Sequence, residues 1–304
     1  MSKPRIVIVG SGGRLGAALL REWKKDFSDV AGFAHRDLDI GDEGALHDRL
    51  DPIGFDVLVN CAAQTNVDRC ESEQEEAFCL NARAPQIMGE IAAKKGAQVI
   101  HISTDYVFDG QKRTPYTEDD LAEPISVYGA SKRAGETNLL AVSDHHLVVR
   151  VAWVFGPDRP SFIDGILKRA LAEERVDAIG DKIAVPTYTL DAARLLRPFL
   201  DDVNACGVLH LCNSGECTWQ QYGQHAIDCA VAAGVPLKAR KVEPLKMADL
   251  KAFIAKRPVY TAMATTKLAQ LTGLPVRSWQ EAVEEYVREH WVPQQGAGAP
   301  SPQV

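Results

Sequence analysis

A doubly wound α/β fold with a parallel sheet is what this sequence predicts, and three observations predict it. Short apolar runs are near-continuous rather than alternating, helical patterns separate them, and a glycine turn follows the first run at once. The 304 residues, 46% hydrophobic and 25% charged, have the composition of a folded globular chain and exclude disorder throughout, a collagen-like chain and a coiled coil. At this length one large domain or two modest ones can bury a sizeable core.

The elements follow in order. Ile6 to Val9 is the first buried strand, and Leu15, Ala18, Leu19, Trp23 and Phe27 share one face of the helix behind it. Val30 to Ala34 and Val57 to Cys61 are the next strands. Ser72 with Glu75 has the spacing of a capping box, opening a helix that runs towards Gly96. Val99 to Ser103 and Leu147 to Ala152 complete the regular half. Beyond it lie helical patterns around Phe162 to Leu171 and Leu190 to Leu200 and a strand-like Val208 to Cys212. Thr218 with Gln221 and Ser278 with Glu281 are further capping boxes. The result is a smaller C-terminal α/β lobe beside the sheet.

A net charge of −7 is the wrong sign for a protein that grips a phosphate backbone, so nucleic acid is excluded as a main partner. Ile6 to Val9 is too short for a signal-peptide core or a membrane span, which points to the cytoplasm and to no membrane partner. The seven cysteines, Cys61, Cys70, Cys79, Cys206, Cys212, Cys217 and Cys229, contain no C-x-x-C pair and are odd in number; buried reduced thiols are expected. No metal site is expected either. His145-His146 reads as a solvated turn without ligands at metal spacing, and Glu71, Glu73, Glu75 and Glu76 read as the negative first turn of a capped helix. The stretch from Gln294 to Val304, rich in Gly, Pro, Ala and Gln, is expected to be mobile.

Two constellations carry chemistry. Val9-Gly10-Ser11-Gly12-Gly13-Arg14-Leu15-Gly16 stands between strand and helix. Glycines at 10, 13 and 16 permit a tight turn, bring backbone N–H groups to a pyrophosphate and let helix and sheet pack closely. At the end of the second strand, where an acid selects NAD and a cation NADP, Arg36 leans towards NADPH; Asp37 follows it, and NADH stays open. Thr104 closes the strand that begins at Val99, at the edge where open α/β sheets bind ligands. Tyr128 and Lys132 stand at i and i+4 on one helical face. An adjacent ammonium would lower the phenol's pKa and make Tyr128 a general acid or base, while Thr104 polarises the same oxygen.

The glycine turn, Ser103-Thr104-Asp105 and Tyr128-x-x-x-Lys132, in this order, resemble an extended short-chain dehydrogenase/reductase. More narrowly, Val59 to Asp68, Ser103 to Gly110, Pro124 to Gly129, Arg150 to Val154, Val185 to Thr187 and Arg257-Pro258 resemble the dTDP-4-dehydrorhamnose reductase family over nearly the whole chain. The resemblance implies a Rossmann-like sheet and reduction by NADPH of the C4 keto group of a nucleotide-linked 4-keto-6-deoxy sugar. It makes Tyr128 the proton donor, Lys132 its tuner and a ribose ligand, and Thr104 the holder of the keto oxygen. It puts Asp105, Tyr106, Trp153 and Arg257 on the substrate, and Cys61, Ala62, Ala63, Thr65, Asp39 and Ile40 beside the cofactor with Gly10, Gly13, Arg14, Leu15, Gly16 and Arg36. Residues 1–155, with 183–212 returning to them, would form the NAD(P)-binding domain, residues 156–182 and 213–290 the substrate lobe, and 291–304 the tail. A homodimer is left open.

The chain departs from the family at Val259 to Met263, where a polar Asn-Ser pair is usual, and at Gln64, where an aromatic or histidine is common. Both lie nearer to substrate choice than to hydride chemistry. Two other functions stay open: a sugar-nucleotide epimerase of the same superfamily, and a non-catalytic regulatory subunit like the β subunit of methionine adenosyltransferase. Elimination is disfavoured because Tyr106 stands where dehydratases carry an acid.

Overall fold

A computed structural model describes residues 3–201, 205–250 and 252–296. The strands are β1 (Ile6–Val9), β2 (Val30–Phe33), β3 (Val57–Asn60), β4 (Gln98–Thr104), β5 (Leu147–Val151), β6 (Val154–Phe155), β7 (Val176–Ile179), β8 (Ile183–Ala184), β9 (Thr187–Tyr188), β10 (Gly207–His210), β11 (Cys217–Thr218) and β12 (Val242–Leu245). The helices are α1 (Arg14–Trp23), α2 (Glu43–Leu50), α3 (Val67–Ser72), α4 (Gln74–Phe78), α5 (Ala84–Lys95), α6 (Val127–Val142), α7 (Phe162–Ala172), α8 (Thr189–Leu196), α9 (Pro198–Asp201), α10 (Trp219–Ala232), α11 (Thr266–Thr272), α12 (Trp279–Tyr286) and α13 (Val292–Gly296).

Six strands form one parallel sheet in the order β10-β5-β4-β3-β1-β2. The order reverses after β1 and β3, as in a doubly wound sheet. Residues of β1, β3 and β5 are buried throughout, which is why they read as apolar runs without alternation. One face is covered by Leu15, Leu19 and Trp23 of α1 with Leu195, Leu196 and Phe199 from α8 and α9. The other carries Leu46, Leu50, Ile87, Met88, Ile91 and Leu139 from α2, α5 and α6. A separate aromatic-rich core, including Phe155, Tyr188, Tyr222, Trp279, Tyr286 and Trp291, organises α7, α10, α12 and the short strands. The expected capping boxes at Thr218 and Ser278 are formed, and Ser161 with Asp164 adds another. Among the described residues no helix is long and apolar enough to cross a membrane.

Four expectations are corrected. Ser72 does not open a helix: it ends α3, its hydroxyl donates to the Arg69 carbonyl, and Asn66 is the cap that starts that helix. The predicted long helix is instead α4, a π-helical turn from Cys79 to Arg83, and α5, which ends at Gly96 in the left-handed conformation. His146 is buried, with its Nδ1 accepting from the Val99 N–H at the edge of β4, while only His145 is solvated. All seven cysteines are free, yet only Cys70, Cys212 and Cys217 are buried, and Cys206 is exposed. Trp291, the first residue assigned to the tail, is 1% exposed in the aromatic core, and Val292–Gly296 is helical. The rest of the expected mobile segment, 297–304, lies outside the described residues.

Candidate active site

The carboxyl ends of β1 to β5 open onto a cleft of roughly 1710 Å³. Its floor at one end is the glycine turn. Gly10 has φ +81°, and a Cβ there would lie 2.6 Å from the Ala62 nitrogen; a Cβ on Gly16 would lie 2.3 Å from the Gly10 carbonyl oxygen. Only glycine allows that backbone and that approach. Gly13 caps α1 with no side chain, leaving the N–H groups of the first turn for a ligand. The turn therefore fits a dinucleotide phosphate.

Gly10, Gly13, Arg14, Leu15, Arg36, Asp39, Ile40, Cys61, Ala62, Ala63 and Thr65 all line the cleft, as expected from the sequence. Gly16 lies beneath the turn and shapes it. The side chain of Arg36 is 89% exposed and 3.7 Å from Asp37, whose other oxygen accepts the Ala34 N–H. Asp37 is thus committed to the turn, and the cation stands at the rim. Asp39 likewise accepts from the Gly41 N–H. Arg14 hydrogen-bonds the carbonyls of Arg159 and Pro160.

Thr104, Asp105, Tyr106, Tyr128, Lys132 and Trp153 meet in the same cleft. Ser126 caps α6 by accepting the Gly129 N–H, which sets Tyr128 in the first turn. Gly129 is required where α6 crosses the Tyr106 carbonyl, since a Cβ would lie 2.2 Å from that oxygen. The rings of Tyr106 and Tyr128 pack edge to face at 5.6 Å. Thr104 Oγ1 accepts the Tyr106 N–H and donates to Asp105 at 3.1 Å. Asp105 is 2% exposed; Thr261 donates to its other oxygen at 2.5 Å. Burial raises its carboxyl pKa against the pull of Lys182 and these two hydroxyls.

Lys132 makes no direct hydrogen bond to the Tyr128 phenol among the described residues. Lys132 Nζ is bonded to His101 Nε2 at 3.1 Å and to the Ile102 carbonyl at 2.7 Å. Burial pushes the Tyr128 phenol well above its ordinary value, and the opposing contribution comes from the Thr104 hydroxyl. Burial also takes Lys132 down to about 8, against the pull of Glu136 and Cys61. The phenol is therefore a protonated donor at neutrality, and the lysine is the group close to its titration point.

Arg257, expected on the substrate, bears by its charge on Tyr106 and Lys182. It lies outside the cleft lining, paired with Asp68 at 2.6 Å and stacked 3.7 Å over Phe253. It ties the loop after the 3₁₀ turn Met247–Asp249 to the start of α3, where Asp68 also accepts the Ile254 and Ala255 N–H groups. The acidic cluster is divided rather than being one helix's first turn: Arg69 pairs with Glu73 and Glu76, while Glu71 accepts the Val127 N–H at the start of α6.

Trp153 has φ +42°, the one non-glycine residue with positive φ among the described residues. For an indole-bearing residue that conformation costs about 1–2 kcal/mol, and the surrounding packing enforces it: the ring meets Trp219 at 5.6 Å and Tyr222 at 6.1 Å. Its Nε1–H is buried without a partner in the protein.

Several site residues were not anticipated. Arg159 lines the cleft and donates to the Gly12 carbonyl. Lys182, fully buried, lies 4.8 Å over the Tyr106 ring and donates to the Pro258 carbonyl; burial takes it to about 8. Asn60 and His101 pair across β3 and β4 below Lys132. Asn60 closing the apolar run Val57–Val59 and His101 set between Ile100 and Ile102 were the available signals for the last two; nothing local marks Lys182.

A family model described as the RmlD substrate binding domain matches residues 4–291. The spore coat polysaccharide biosynthesis protein SpsK of Bacillus subtilis is 30% identical over 94% of this chain and 97% of its own length. The dTDP-4-dehydrorhamnose reductase of Mycolicibacterium smegmatis is 35% identical over 93% of this chain and 85% of its own. A crystal structure of dTDP-4-dehydrorhamnose reductase from Bacillus anthracis in complex with NADP superposes with a TM-score of 0.87 at 28% identity, covering 95% of this chain and all of the other.

Proposed function

The chain belongs to the RmlD substrate-binding-domain family, and from that membership we propose that it is an NADPH-dependent reductase converting dTDP-4-dehydro-L-rhamnose to dTDP-L-rhamnose. The observation that carries the reading is the meeting of Thr104, Tyr128 and Lys132 in one cleft with the glycine turn. A regulatory subunit would have no need of that set.

NADPH, when bound, supplies the hydride that reaches C4 of the sugar. Gly10, Gly13, Arg14 and the open first turn of α1 hold its pyrophosphate, and Arg36 meets the additional phosphate, since Asp37 is withheld by the Ala34 N–H. Tyr128 donates its proton to the C4 oxygen as charge develops there. Its burial keeps that proton in place until the oxygen is basic enough to take it. Thr104, its hydroxyl turned from Asp105 to the substrate, bonds the same oxygen and fixes its position between hydride and proton donors. Lys132 binds the nicotinamide ribose and stabilises the phenolate left behind. Tyr106 and Trp153 bound the sugar, and the unpartnered Trp153 Nε1–H supports a bond to one of its hydroxyls. In this reading residues 1–155 with 183–212 hold the cofactor, and 156–182 with 213–290 hold the nucleotide sugar.

The test is loss of NADPH absorbance with dTDP-4-dehydro-β-L-rhamnose, with NADH as competing donor and Tyr128→Phe beside the wild type. Turnover by the wild type and a kcat lower by about 10²–10⁴ in the variant are expected. Intact NADPH binding with no oxidation by this substrate would overturn the assignment.

A further inference from the structure

Asn60 and His101 face each other across β3 and β4, and Lys132 reaches the far side of the imidazole from α6. The proton inventory of these three residues is constrained by the backbone. The Ala62 N–H donates to Asn60 Oδ1 at 3.0 Å, so the amide cannot turn over without setting donor against donor. Asn60 Nδ2 therefore points its N–H at His101 Nδ1, 3.1 Å away. A neutral imidazole has one N–H, and with Nδ1 accepting, that proton must sit on Nε2. Nε2 is 3.1 Å from Lys132 Nζ, so the imidazole presents a donor to the lysine. An amine accepts from it and still donates to the Ile102 carbonyl at 2.7 Å; an ammonium has no lone pair to offer.

Resting on the reductase reading, we propose that His101 is a positioning residue for the reaction: held by Asn60 as the Nε2–H tautomer, it opposes the ammonium form of Lys132 and so sets the pH at which that lysine loses the charge it contributes to the reaction. The other charged or titratable groups facing Lys132 do not remove the conflict. Glu136, on the same helix, is occupied by Arg150, Arg133 and the Ser103 hydroxyl. Cys61, half-buried past the end of β3, is kept as a thiol because its surroundings solvate the charged form poorly, which pushes it up to about 12. His101 itself is held neutral, first by burial and then by the neighbouring lysine. A lysine near 8 rather than in its ordinary range agrees with the geometry. The reaction then gains a lysine that can both lose and regain its proton near neutral pH, instead of a permanent cation.

Two measurements test this. Long-range ¹H–¹⁵N spectra of the ¹⁵N-histidine-labelled full chain, which need no substrate, should show His101 as the Nε2–H tautomer at pH 7; an Nδ1–H tautomer or an imidazolium would overturn the proposal even if the chain reduces no 4-keto sugar. Asn60→Asp turns the Nδ1 partner into an acceptor, moves the imidazole proton to Nδ1 and leaves Nε2 to accept from the ammonium. Its alkaline limb of kcat against pH should move up by at least about one unit, a tenfold change in proton affinity. Asn60→Asp combined with His101→Phe keeps the added charge and removes the imidazole nitrogens. A limb unmoved in the single variant, or moved equally in both, would show that the histidine does not transmit the effect.

Discussion

Replacing Glu136 by glutamine perturbs one atom and one charge in the interior behind the active site. The Glu136 and Arg150 side chains are 0% and 3% exposed. Oε1 accepts from Ser103 Oγ at 2.6 Å and Arg150 Nε at 2.8 Å; Oε2 accepts from Arg150 Nη2 at 2.7 Å and Arg133 Nη1 at 3.0 Å. An amide can present oxygen to one of these sets and must present N–H to the other. Arg150 is then a buried cation with no counter-charge, which costs about 3–5 kcal/mol. For a chain of this size, at about 2–3 °C per kcal/mol, the melting temperature should fall by roughly 6–15 °C. Circular dichroism melts and urea titrations measure it. Glu136→Gln with Arg150→Met should recover much of the loss, because the stranded charge is gone. The carboxylate's pKa is lowered in the fold: burial alone raises it, and the Arg150 bonds and charge outweigh that. Its stabilisation is therefore complete above the ordinary carboxylate range and lost as pH falls through the depressed value. A shift in Glu136→Gln of less than about 2 °C, under about 1 kcal/mol, or a double variant losing the sum of both singles, would refute the reasoning.

Arg36→Ala should raise the KM for NADPH about 10–100-fold, the loss of a charge-assisted contact of about 1.5–3 kcal/mol, and leave the KM for NADH unchanged; parallel loss with both donors would contradict a phosphate contact. Gly16→Ala drives a methyl against the Gly10 carbonyl, 2.3 Å from the new carbon, and should weaken NADPH binding and lower stability by about 1–3 kcal/mol in a denaturant titration. His210, buried among Phe108, Arg150 and β10, is taken down to about 3, first by burial and then by the Arg150 charge. The unfolded histidine binds a proton that the folded one refuses, so stability is full above about pH 6.5 and declines as pH drops towards 3. His210→Phe should flatten that decline in urea titrations at pH 7 and 4.5; an unchanged slope would clear His210 of the effect.

The strands of the main sheet were legible because burial on both faces leaves a run of Val, Ile and Leu, and the glycine turn because few other residues fit it. Tyr128 and Lys132 could be paired by helical spacing. Their electrostatic relation could not, because it depends on where the Lys132 Nζ goes, and a residue from strand β4, His101, claims it. The pairing of Arg257 with Asp68 was hidden for a similar reason: the two are distant in sequence, and ion pairs across such distances leave no local pattern. Ser72 and Glu75 have the spacing of a capping box, yet Asn66 had already begun the helix, so tertiary packing around α3 and α4 decided the boundary. His146 looked solvated beside Asp144 and His145; its burial follows from the edge of β4, where it satisfies the Val99 N–H.

The place of β10 at the margin of the main sheet has a consequence for how the chain is made. Its partner β5 ends at Val151, but the strand that covers it begins at Gly207 and pairs through Leu147↔Gly207 to Arg150↔His210. During synthesis at about 5–20 residues per second, the flank of β5 is finished several seconds before its cover leaves the ribosome. In that interval Val148 and Val149 present an apolar, unpaired margin to every other nascent chain nearby. Truncation or stalling between Val151 and Gly207 would prolong that state, so aggregation of fragments ending there, and recovery once His210 is included, belongs to the assembly order that this sheet imposes.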